Sequence, residues 1–359
     1  MSERTIIPFG PQHPVLPEPI HLDLVLEDEK VVEAIPSIGF VHRGLEMLVT
    51  KRDFHQMTNI VERVCGICSF MHGLGYCQCI EDMMKLTVPE RALYLRSFWS
   101  ELSRMHSHLL WLGLLADAFG FESLFMQSWR IREKVLDIME ETTGGRVILG
   151  SCCIGGVKKD VEKDVLKRIL HVMADLEKEI TELTSVFEKD YSVQKRTKGL
   201  GVLTKDDAYK LGAVGPMYRG SGVAQDMRMQ GYAAYGNLDF APVVEEDGDG
   251  YARMMVRCRE VHQSIDLIRQ IIEKIPSGPI GQKVTGNPKG EAFSRLEQPR
   301  GEVVYYVKGN GTKLLDRVRV RTPTFANIPP LLKMLQGCDF ADVPLLILTI
   351  DPCISCTER

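Results

Sequence analysis

The sequence RVCGIC, at residues 63–68, has a counterpart near the other end of the chain in DPCISC, at residues 351–356. Each stretch holds a Cys-x-x-Cys pair, and 284 residues separate Cys68 from Cys353. Such a pair places two sulfurs on one side of a tight turn, where both can bind one metal ion. Two pairs supply the four thiolates of a tetrahedral sulfur site. We therefore predict that both regions meet in the interior around one metal centre.

Two other functions of the pairs stay open from spacing alone. A redox disulfide of the thioredoxin type requires a short βαβ context, which is absent around residues 63–68. A structural zinc site is the stronger rival, but zinc ribbons and fingers separate their pairs by about 12 to 20 residues. A chain of 359 residues buries a hydrophobic core of its own and does not need a structural metal ion to stabilise its fold.

The residues around the pairs resemble a known family. ERVCGIC, at residues 62–68, is similar to the first metal-binding motif of nickel–iron hydrogenase large subunits, and DPCISCTER, at residues 351–359, is similar to the last. The resemblance extends through nearly the whole chain. It is closest to the energy-converting, membrane-bound branch (group 4), whose large subunits also resemble the quinone-site 49 kDa subunit of respiratory complex I.

This resemblance implies a Ni-Fe(CO)(CN)2 centre. In the family pattern, Cys65 and Cys353 are terminal nickel ligands, whereas Cys68 and Cys356 bridge nickel to iron. Glu18 falls where the hydrogenases carry an acid that exchanges protons with a cysteine thiolate. A carboxyl beside thiolates and away from water has a raised pKa, which suits proton relay. From the residues alone, a solvated loop carboxylate is the alternative.

Further site residues follow from the same resemblance. Arg300 stands in a Pro-Arg-Gly motif, preceded by Gln298 where the family has Ala, and is expected to hydrogen-bond one cyanide on iron. Thr324 matches the hydroxyl that donates to the other cyanide. Glu46, nineteen residues before Cys65, is expected to bind an outer magnesium or iron ion near the C-terminus. A salt bridge to a nearby Arg is its alternative, and many relatives have His where Arg359 stands.

The complex I relatives supply a second functional hypothesis, a quinone or electron-transfer scaffold. The segment GPQHP, at residues 10–14, matches a signature of those relatives, in which the His lies near the quinone headgroup. A Pro-rich loop before a strand explains the segment equally well. Those relatives have lost the nickel ligands, whereas all four cysteines are present here. The sequence therefore favours a hydrogenase over a quinone reductase.

Composition limits the remaining classes of function. The net charge of −4 gives no indication of nucleic-acid binding. No stretch approaches the ~20 apolar residues of a membrane span, and the most apolar run, residues 343–350, has only the length of a strand. The first residues lack a signal-peptide pattern. We expect a cytoplasmic protein, held on the inner face of the cell membrane by partner subunits.

The expected fold is mainly α within the α+β class: one domain, residues 1–359, with a core bundle of long helices and small peripheral β-sheets. A stripe of apolar residues at 3.6-residue spacing predicts a helix over 161–187, the clearest of four. The others are predicted from Pro89 onward, over 121–141 and over 253–274. Alternating apolar residues predict a strand over 20–26 with a hairpin return over 31–34.

Electron transfer requires partners, because the chain has no ferredoxin-type run of cysteines. The resemblance implies a hydrogenase small subunit with a [4Fe-4S] cluster, a ferredoxin-like subunit or ferredoxin, and integral membrane subunits that translocate ions. The expected activity is reversible H2 heterolysis and proton reduction coupled to ferredoxin. The six remaining cysteines are expected to be small buried apolar side chains.

Overall fold

The computed structural model describes residues 4–359. These residues are mainly helical and also form three small antiparallel sheets. The helices are α1 Leu45–Val49, α2 Phe54–Val61, α3 Ser69–Met84, α4 Glu90–Ala118, α5 Glu122–Thr143, α6 Lys163–Lys189, α7 Tyr191–Thr197, α8 Lys205–Lys210, α9 Pro216–Arg219, α10 Gly250–Lys274, α11 Pro323–Leu335, α12 Val343–Thr349 and α13 Ile354–Glu358. The strands are β1 Thr5–Phe9, β2 His21–Glu27, β3 Lys30–Ser37, β4 Cys152–Cys153, β5 Gly156–Val157, β6 Lys289–Gln298, β7 Gly301–Asn310 and β8 Leu315–Arg321.

The four long helices confirm the periodicity argument. α4 begins directly after Pro89, whose fixed φ suits a helix start. α5 ends at Gly144, which takes a positive φ of 85° that closes the helix. α6 begins two residues later than predicted and buries its apolar stripe. α4 packs against α5 and α10, and α6 packs against α5 and α10, so these helices form the expected bundle.

The N-terminal sheet has the predicted hairpin. β2 pairs with β3 through a turn at Asp28 and Glu29, both of which have positive φ, and β1 adds a third strand beside β2. Leu22 and Leu24 point into the core and are fully buried. The loop between β1 and β2, residues 10–20, carries Glu18 towards the bundle.

The second three-stranded sheet is not confined to the periphery. β6 and β7 form a long hairpin, β8 pairs with β7, and β6 and β7 pack against α3. β7 is mostly buried because the helices cover one face of the sheet. The tight β6–β7 turn therefore carries Arg300 into the interior. Gly215 makes this possible: a Cβ there would lie 2.5 Å from the Arg300 carbonyl oxygen.

The most apolar run of the chain, residues 343–350, forms a helix, α12, and packs against α10 and α11. It leads directly into residues 351–356 and so places the second cysteine pair beside the bundle. Among the helices formed by residues 4–359, none combines the length and the apolar character that crossing a membrane requires.

Candidate metal centre

The four cysteine sulfurs of the two pairs meet in the interior. The Sγ atoms of Cys65 and Cys353 lie 3.3 Å apart, and those of Cys68 and Cys356 lie 3.6 Å apart. All four residues are at most 2 % exposed. The sulfurs of Cys65, Cys68 and Cys356 all lie within 4.8 Å of one another. The fold thus brings together residues that are 288 positions apart in the sequence.

Local backbone geometry explains how each pair faces the same point. Residues 62–64 form a 3-10 turn that continues α2, and α3 begins at Ser69, directly after Cys68. The amides of Ile67 and Cys68 donate to the Cys65 sulfur at 3.3 and 3.4 Å. Hydrogen bonding, first of all from the Cys353 thiol, holds the pKa of the Cys65 thiol well below its usual value. At least one thiolate is therefore stabilised by the protein itself.

Arg43, which the sequence did not single out, joins the two cysteine segments. Its guanidinium donates to the carbonyl oxygens of Arg63 and Val64 at 2.8 Å, and to that of Ser355 at 3.1 Å. A planar guanidinium with several donors can bind carbonyls of two segments at once. Arg43 therefore fixes the relative position of the two pairs.

Glu18 lies on the same side of the sulfur cluster as Cys353. Its carboxylate accepts the amide N–H of Ile354, the residue that follows Cys353. Burial raises the pKa of Glu18 to about 7; the Arg300 cation opposes this rise and the Cys65 sulfur adds to it. A carboxyl with a pKa near neutrality can both accept and release a proton.

Arg300 is 3 % exposed and projects from the β6–β7 turn towards residues 351–353. Its Nε donates to the Asp351 carbonyl oxygen, and its Nη2 forms a salt bridge with the Asp351 carboxylate, each at 2.9 Å. Burial disfavours its charge, but Asp351 and the Cys353 and Cys65 sulfurs hold the pKa of Arg300 well above its usual value. A permanent positive charge thus faces the sulfur cluster.

Thr324 begins α11 beside the second pair. Its hydroxyl accepts the amide N–H of Cys353 at 3.0 Å and keeps its own O–H free to donate. The neighbouring Thr322 hydroxyl donates to the Cys356 carbonyl oxygen at 3.2 Å. Both threonines are fully buried, so the start of α11 holds both cysteines of the second pair through their backbone.

His72 is a site residue that the sequence analysis missed. Its Nε2 lies 3.3 Å from the Cys356 sulfur and its Nδ1 lies 2.6 Å from the Tyr305 hydroxyl oxygen. The ring is fully buried, and burial lowers the pKa of His72 to about 4. The sequence position of His72 could have indicated its role. His72 follows Cys68 by four residues, which is about one helical turn, so both residues lie on the same face of the helix.

Glu46 lies in a salt-bridge network with Arg319 and Arg359. Its Oε1 accepts from Arg359 Nε and from the Val320 amide, and its Oε2 accepts from Arg319 Nη1, each at 2.9 Å. Burial disfavours ionisation, but Arg359 and the other donors hold the pKa of Glu46 below its usual value. The metal ligand that the resemblance implies at Glu46 stays a prediction. The structure shows the salt-bridge alternative, because the guanidinium of Arg359 supplies positive charge and both carboxylate oxygens accept hydrogen bonds.

A second buried carboxyl lies next to the first cysteine pair. Glu62 is fully buried, and neither of its oxygens has a hydrogen-bond partner among residues 4–359. A Cβ on Gly73 would lie 2.8 Å from its Oε1, so α3 packs directly on the carboxyl. Burial raises the pKa of Glu62 to about 7, opposed most by the charge of Lys158.

Two further histidines and most of the remaining cysteines lie in the core. His106 and His108 are fully buried, and His108 bonds Glu260 at 2.8 Å. Of the six cysteines outside the two pairs, four are buried and two are partly exposed: Cys77, Cys79, Cys152 and Cys258, and Cys153 and Cys338.

Two family models together match most of the chain. The model described as "Nickel-dependent hydrogenase" matches residues 43–117, which contain the first cysteine pair. The model described as "Respiratory-chain NADH dehydrogenase, 49 Kd subunit" matches residues 118–287 and 282–359, which contain the second pair. The chain therefore belongs to the family that unites nickel-dependent hydrogenase large subunits with the 49 kDa subunit of respiratory-chain NADH dehydrogenase.

Individual relatives place the chain within this family. It is 42 % identical to the carbon monoxide-induced hydrogenase of Rhodospirillum rubrum, over 100 % of both chains. It is 37 % identical to the membrane-bound hydrogenase subunit alpha of Pyrococcus furiosus, over 98 % of this chain and 87 % of that one. A subunit of the archaeal membrane-bound sulfane sulfur reductase superposes with a TM-score of 0.94 at 30 % identity, covering 99 % of each chain. The resemblance inferred from the sequence is confirmed.

The residues present fit a nickel–iron centre. Metal–sulfur bonds of about 2.3 Å place neighbouring sulfurs of a tetrahedral site about 3.8 Å apart, close to the 3.3 and 3.6 Å found here. Soft thiolates suit nickel and low-potential iron. Once deprotonated to bind metal, the four buried sulfurs carry more negative charge than the buried guanidinium of Arg300 can balance, and bound metal ions would supply the missing positive charge.

Proposed function

We propose that this chain is the catalytic large subunit of a multisubunit, membrane-associated [NiFe] hydrogenase. The proposal rests above all on the four buried sulfurs, two from each half of the family match, facing one point. In this proposal Cys65, Cys68, Cys353 and Cys356 would hold the two metals, with the roles that the resemblance implies. When bound, the Ni-Fe(CO)(CN)2 centre supplies the site for reversible heterolysis of H2.

The protein moves the proton through Glu18. Its carboxyl contacts the residue after Cys353, so it can take a proton from the sulfur side of the cluster and release it outward. A cavity of about 440 Å³ opens beside Pro17, between the β1–β2 loop, the end of α4 and α12. Water in this cavity would complete the route from Glu18 to solvent.

Arg300 and Thr324 would act as fixed donors to the bound centre. The guanidinium of Arg300 has an Nη1 that makes only a long contact of 3.4 Å with Ser107, and the hydroxyl hydrogen of Thr324 has no acceptor assigned among the described residues. In the proposal, these two groups would donate to the two cyanides. Donors that are held rigidly in a dry site stabilise charge more strongly than water does.

Electrons leave through the surface above the first cysteine pair. Gly66 and Arg63 are exposed although Cys65 and Cys68 are buried, and exposed Val147 lies beside Gly66. A small subunit with a [4Fe-4S] cluster would bind here and pass single electrons to a ferredoxin-like subunit or to ferredoxin. Integral membrane subunits that translocate ions would hold the complex on the inner face of the membrane.

No outer magnesium or iron ion is needed near the C-terminus. Arg359 occupies the position at which the family pattern has a metal-binding His, and its guanidinium binds Glu46 directly. We infer that an organic cation takes the place of the outer metal ion beside Glu46 in this chain.

A complex I-type electron-transfer scaffold is the second candidate, because the 49 kDa model covers residues 118–359. The sulfane sulfur reductase complex offers a related alternative for the same fold. The four converging sulfurs favour the hydrogenase, since a scaffold without nickel has no use for them.

Metal analysis and infrared spectroscopy of the purified complex test the proposal. We expect about one nickel per chain, infrared bands of iron-bound carbon monoxide and cyanide, and ferredoxin-linked H2 turnover. Cys65→Ser should abolish all three, whereas Cys258→Ser, which alters a buried cysteine far from the cluster in sequence, should leave them unchanged. Full activity of nickel-free protein, or reduction of sulfane sulfur without H2 turnover, would rule out the hydrogenase.

A further inference from the structure

Tyr305 has no assigned role, yet it makes a short contact within the site. It lies on β7 and is fully buried, and its hydroxyl oxygen is 2.6 Å from Nδ1 of His72. Within residues 4–359, His72 is the only hydrogen-bond partner of this hydroxyl. The other ring nitrogen of His72 faces the Cys356 sulfur at 3.3 Å. Tyr305, His72 and Cys356 therefore form one continuous chain of hydrogen bonds.

The position of the phenol is fixed from several sides. The Tyr305 backbone is paired with Ser294 on β6 and with Val320 on β8, so it lies in the centre of the sheet. The Ser294 hydroxyl donates to the Gly75 carbonyl oxygen at 2.7 Å and ties β6 to α3. A Cβ on Gly75 would lie 2.8 Å from the Tyr305 ring. Only glycine leaves room for the ring to approach α3 this closely.

The direction of the hydrogen bonds follows from the donors and acceptors available. A buried hydroxyl that is left without an acceptor costs about 1–3 kcal/mol. Among residues 4–359, Nδ1 of His72 is the one acceptor that the Tyr305 O–H reaches, so Nδ1 carries no hydrogen. In a neutral imidazole the hydrogen must then be on Nε2. Nε2 therefore presents an N–H, rather than a lone pair, to the Cys356 sulfur.

We propose that Tyr305 is a positioning residue that fixes the tautomer and the orientation of His72, so that His72 donates Nε2–H to the Cys356 sulfur. This inference rests on the proposed function only for its effect on turnover. The donor withdraws electron density from the Cys356 sulfur. Within residues 4–359 the Cys353 sulfur, on the Glu18 side, accepts no hydrogen bond from a histidine, arginine or hydroxyl group, although the Arg300 charge lies near it. Tyr305 thereby makes the two sides of the cluster chemically different, and proton exchange is directed towards Glu18.

Tyr306 provides a matched control. It is the next residue on β7, but its hydroxyl donates to Glu291 at 2.7 Å on the exposed face of the sheet. Tyr305→Phe and Tyr306→Phe each remove one hydroxyl from neighbouring residues of the same strand. Only the first removes a partner of His72.

Nitrogen NMR of the full-length chain, labelled with 15N-histidine, reads the tautomer directly and needs no hydrogenase activity. His72 is assigned by the signals that disappear in His72→Gln. We expect protonated Nε2 and unprotonated Nδ1 in the wild type and in Tyr306→Phe. In Tyr305→Phe, loss of one buried hydrogen bond should shift the tautomer ratio by about tenfold. A wild-type signal from protonated Nδ1, or an unchanged ratio in Tyr305→Phe, overturns the inference.

The purified complex supplies the second readout. We expect Tyr305→Phe to retain nickel and to lower turnover by about tenfold relative to Tyr306→Phe, with a shift of the infrared bands of the diatomic ligands. Equal turnover and equal bands in the two variants, at equal nickel content, would contradict the assigned role. Absence of nickel from every preparation would instead count against the proposed function, because the NMR result on His72 does not depend on it.

Discussion

Replacing Glu62 with Gln should make the chain more stable at alkaline pH but not at acidic pH. The carboxyl is fully buried without a hydrogen-bond partner among the described residues, and its pKa is raised to about 7 from the ordinary value of 4.5. The folded protein therefore binds a proton more tightly than the unfolded chain does. A group of this kind contributes its full stability below about pH 4.5, and that contribution is lost as the pH rises to about 7.

The size of the effect follows from the two pKa values. The difference between about 7 and 4.5 corresponds to about 3.4 kcal/mol of lost stability, at 1.36 kcal/mol per pH unit. Unfolding entropy is about 2.1 cal/mol/K per residue, so for 359 residues this loss is equivalent to about 4–5 °C in Tm. Gln has the shape of the protonated carboxyl and does not ionise, so the variant should not show the loss.

Thermal unfolding of the full-length chain at several pH values is the assay. Near about pH 5 the wild type and Glu62→Gln should unfold at similar temperatures, and near about pH 8.5 the variant should unfold about 4–5 °C higher. Glu33→Gln, which alters an exposed carboxylate on β3, should follow the wild type throughout. Parallel curves for the wild type and Glu62→Gln across the whole range would refute the reasoning.

Four further predictions concern the site. Cys65→Ser should reduce bound nickel from about one per chain to a trace, measured by elemental analysis. Glu18→Gln should retain nickel but lose at least about 10²-fold in turnover. The rate of H2 oxidation by the wild type should rise as the pH passes about 7, because Glu18 then becomes an unprotonated proton acceptor. The variant should not show this rise. Arg300→Lys keeps the charge but cannot bind two oxygens at once, so turnover should fall about 10²-fold with shifted infrared bands. Arg359→Ala leaves Glu46 with a single cation and should lower the free energy of unfolding by about 1–2 kcal/mol in chemical denaturation.

Controls and contrary outcomes separate these effects from general damage. Cys77→Ser alters a buried cysteine outside the cluster and should retain nickel. A Glu18→Gln enzyme with unchanged turnover would exclude Glu18 as the relay, and unshifted bands in Arg300→Lys would exclude a contact with the diatomic ligands. Stoichiometric magnesium or iron beyond the nickel–iron centre in the wild type would contradict the role given to Arg359.

The long helices were predictable because their signal is local. The apolar stripe of α6 and the breaks at Pro89 and Gly144 lie within the segments that they shape, so the sequence alone defines them. The β6–β8 sheet was expected at the periphery because alternation cannot show which helix covers a strand. Its burial against α3 is a tertiary effect.

The cysteine pairs were recognisable because both ligands of a pair lie within one turn. Tyr305 and Arg43 were not, because their importance arises from partners far away in the sequence. Arg43 contacts Ser355 across 312 positions, and Tyr305 contacts His72 across 233. For Glu46, the sequence spacing predicted a metal ligand and left a salt bridge to an arginine open as the alternative. The sequence could not show that Arg359 lies against its carboxylate.

The convergence of two distant cysteine pairs also has a consequence for biosynthesis. At about 5–20 residues per second, a ribosome needs roughly 14 to 57 s to add the 284 residues between Cys68 and Cys353. Throughout that interval the first pair is an incomplete chelator that any thiophilic ion could occupy. The correct metals must therefore bind only after residues 351–356 have been synthesised, or another protein must hold them at the first pair until then.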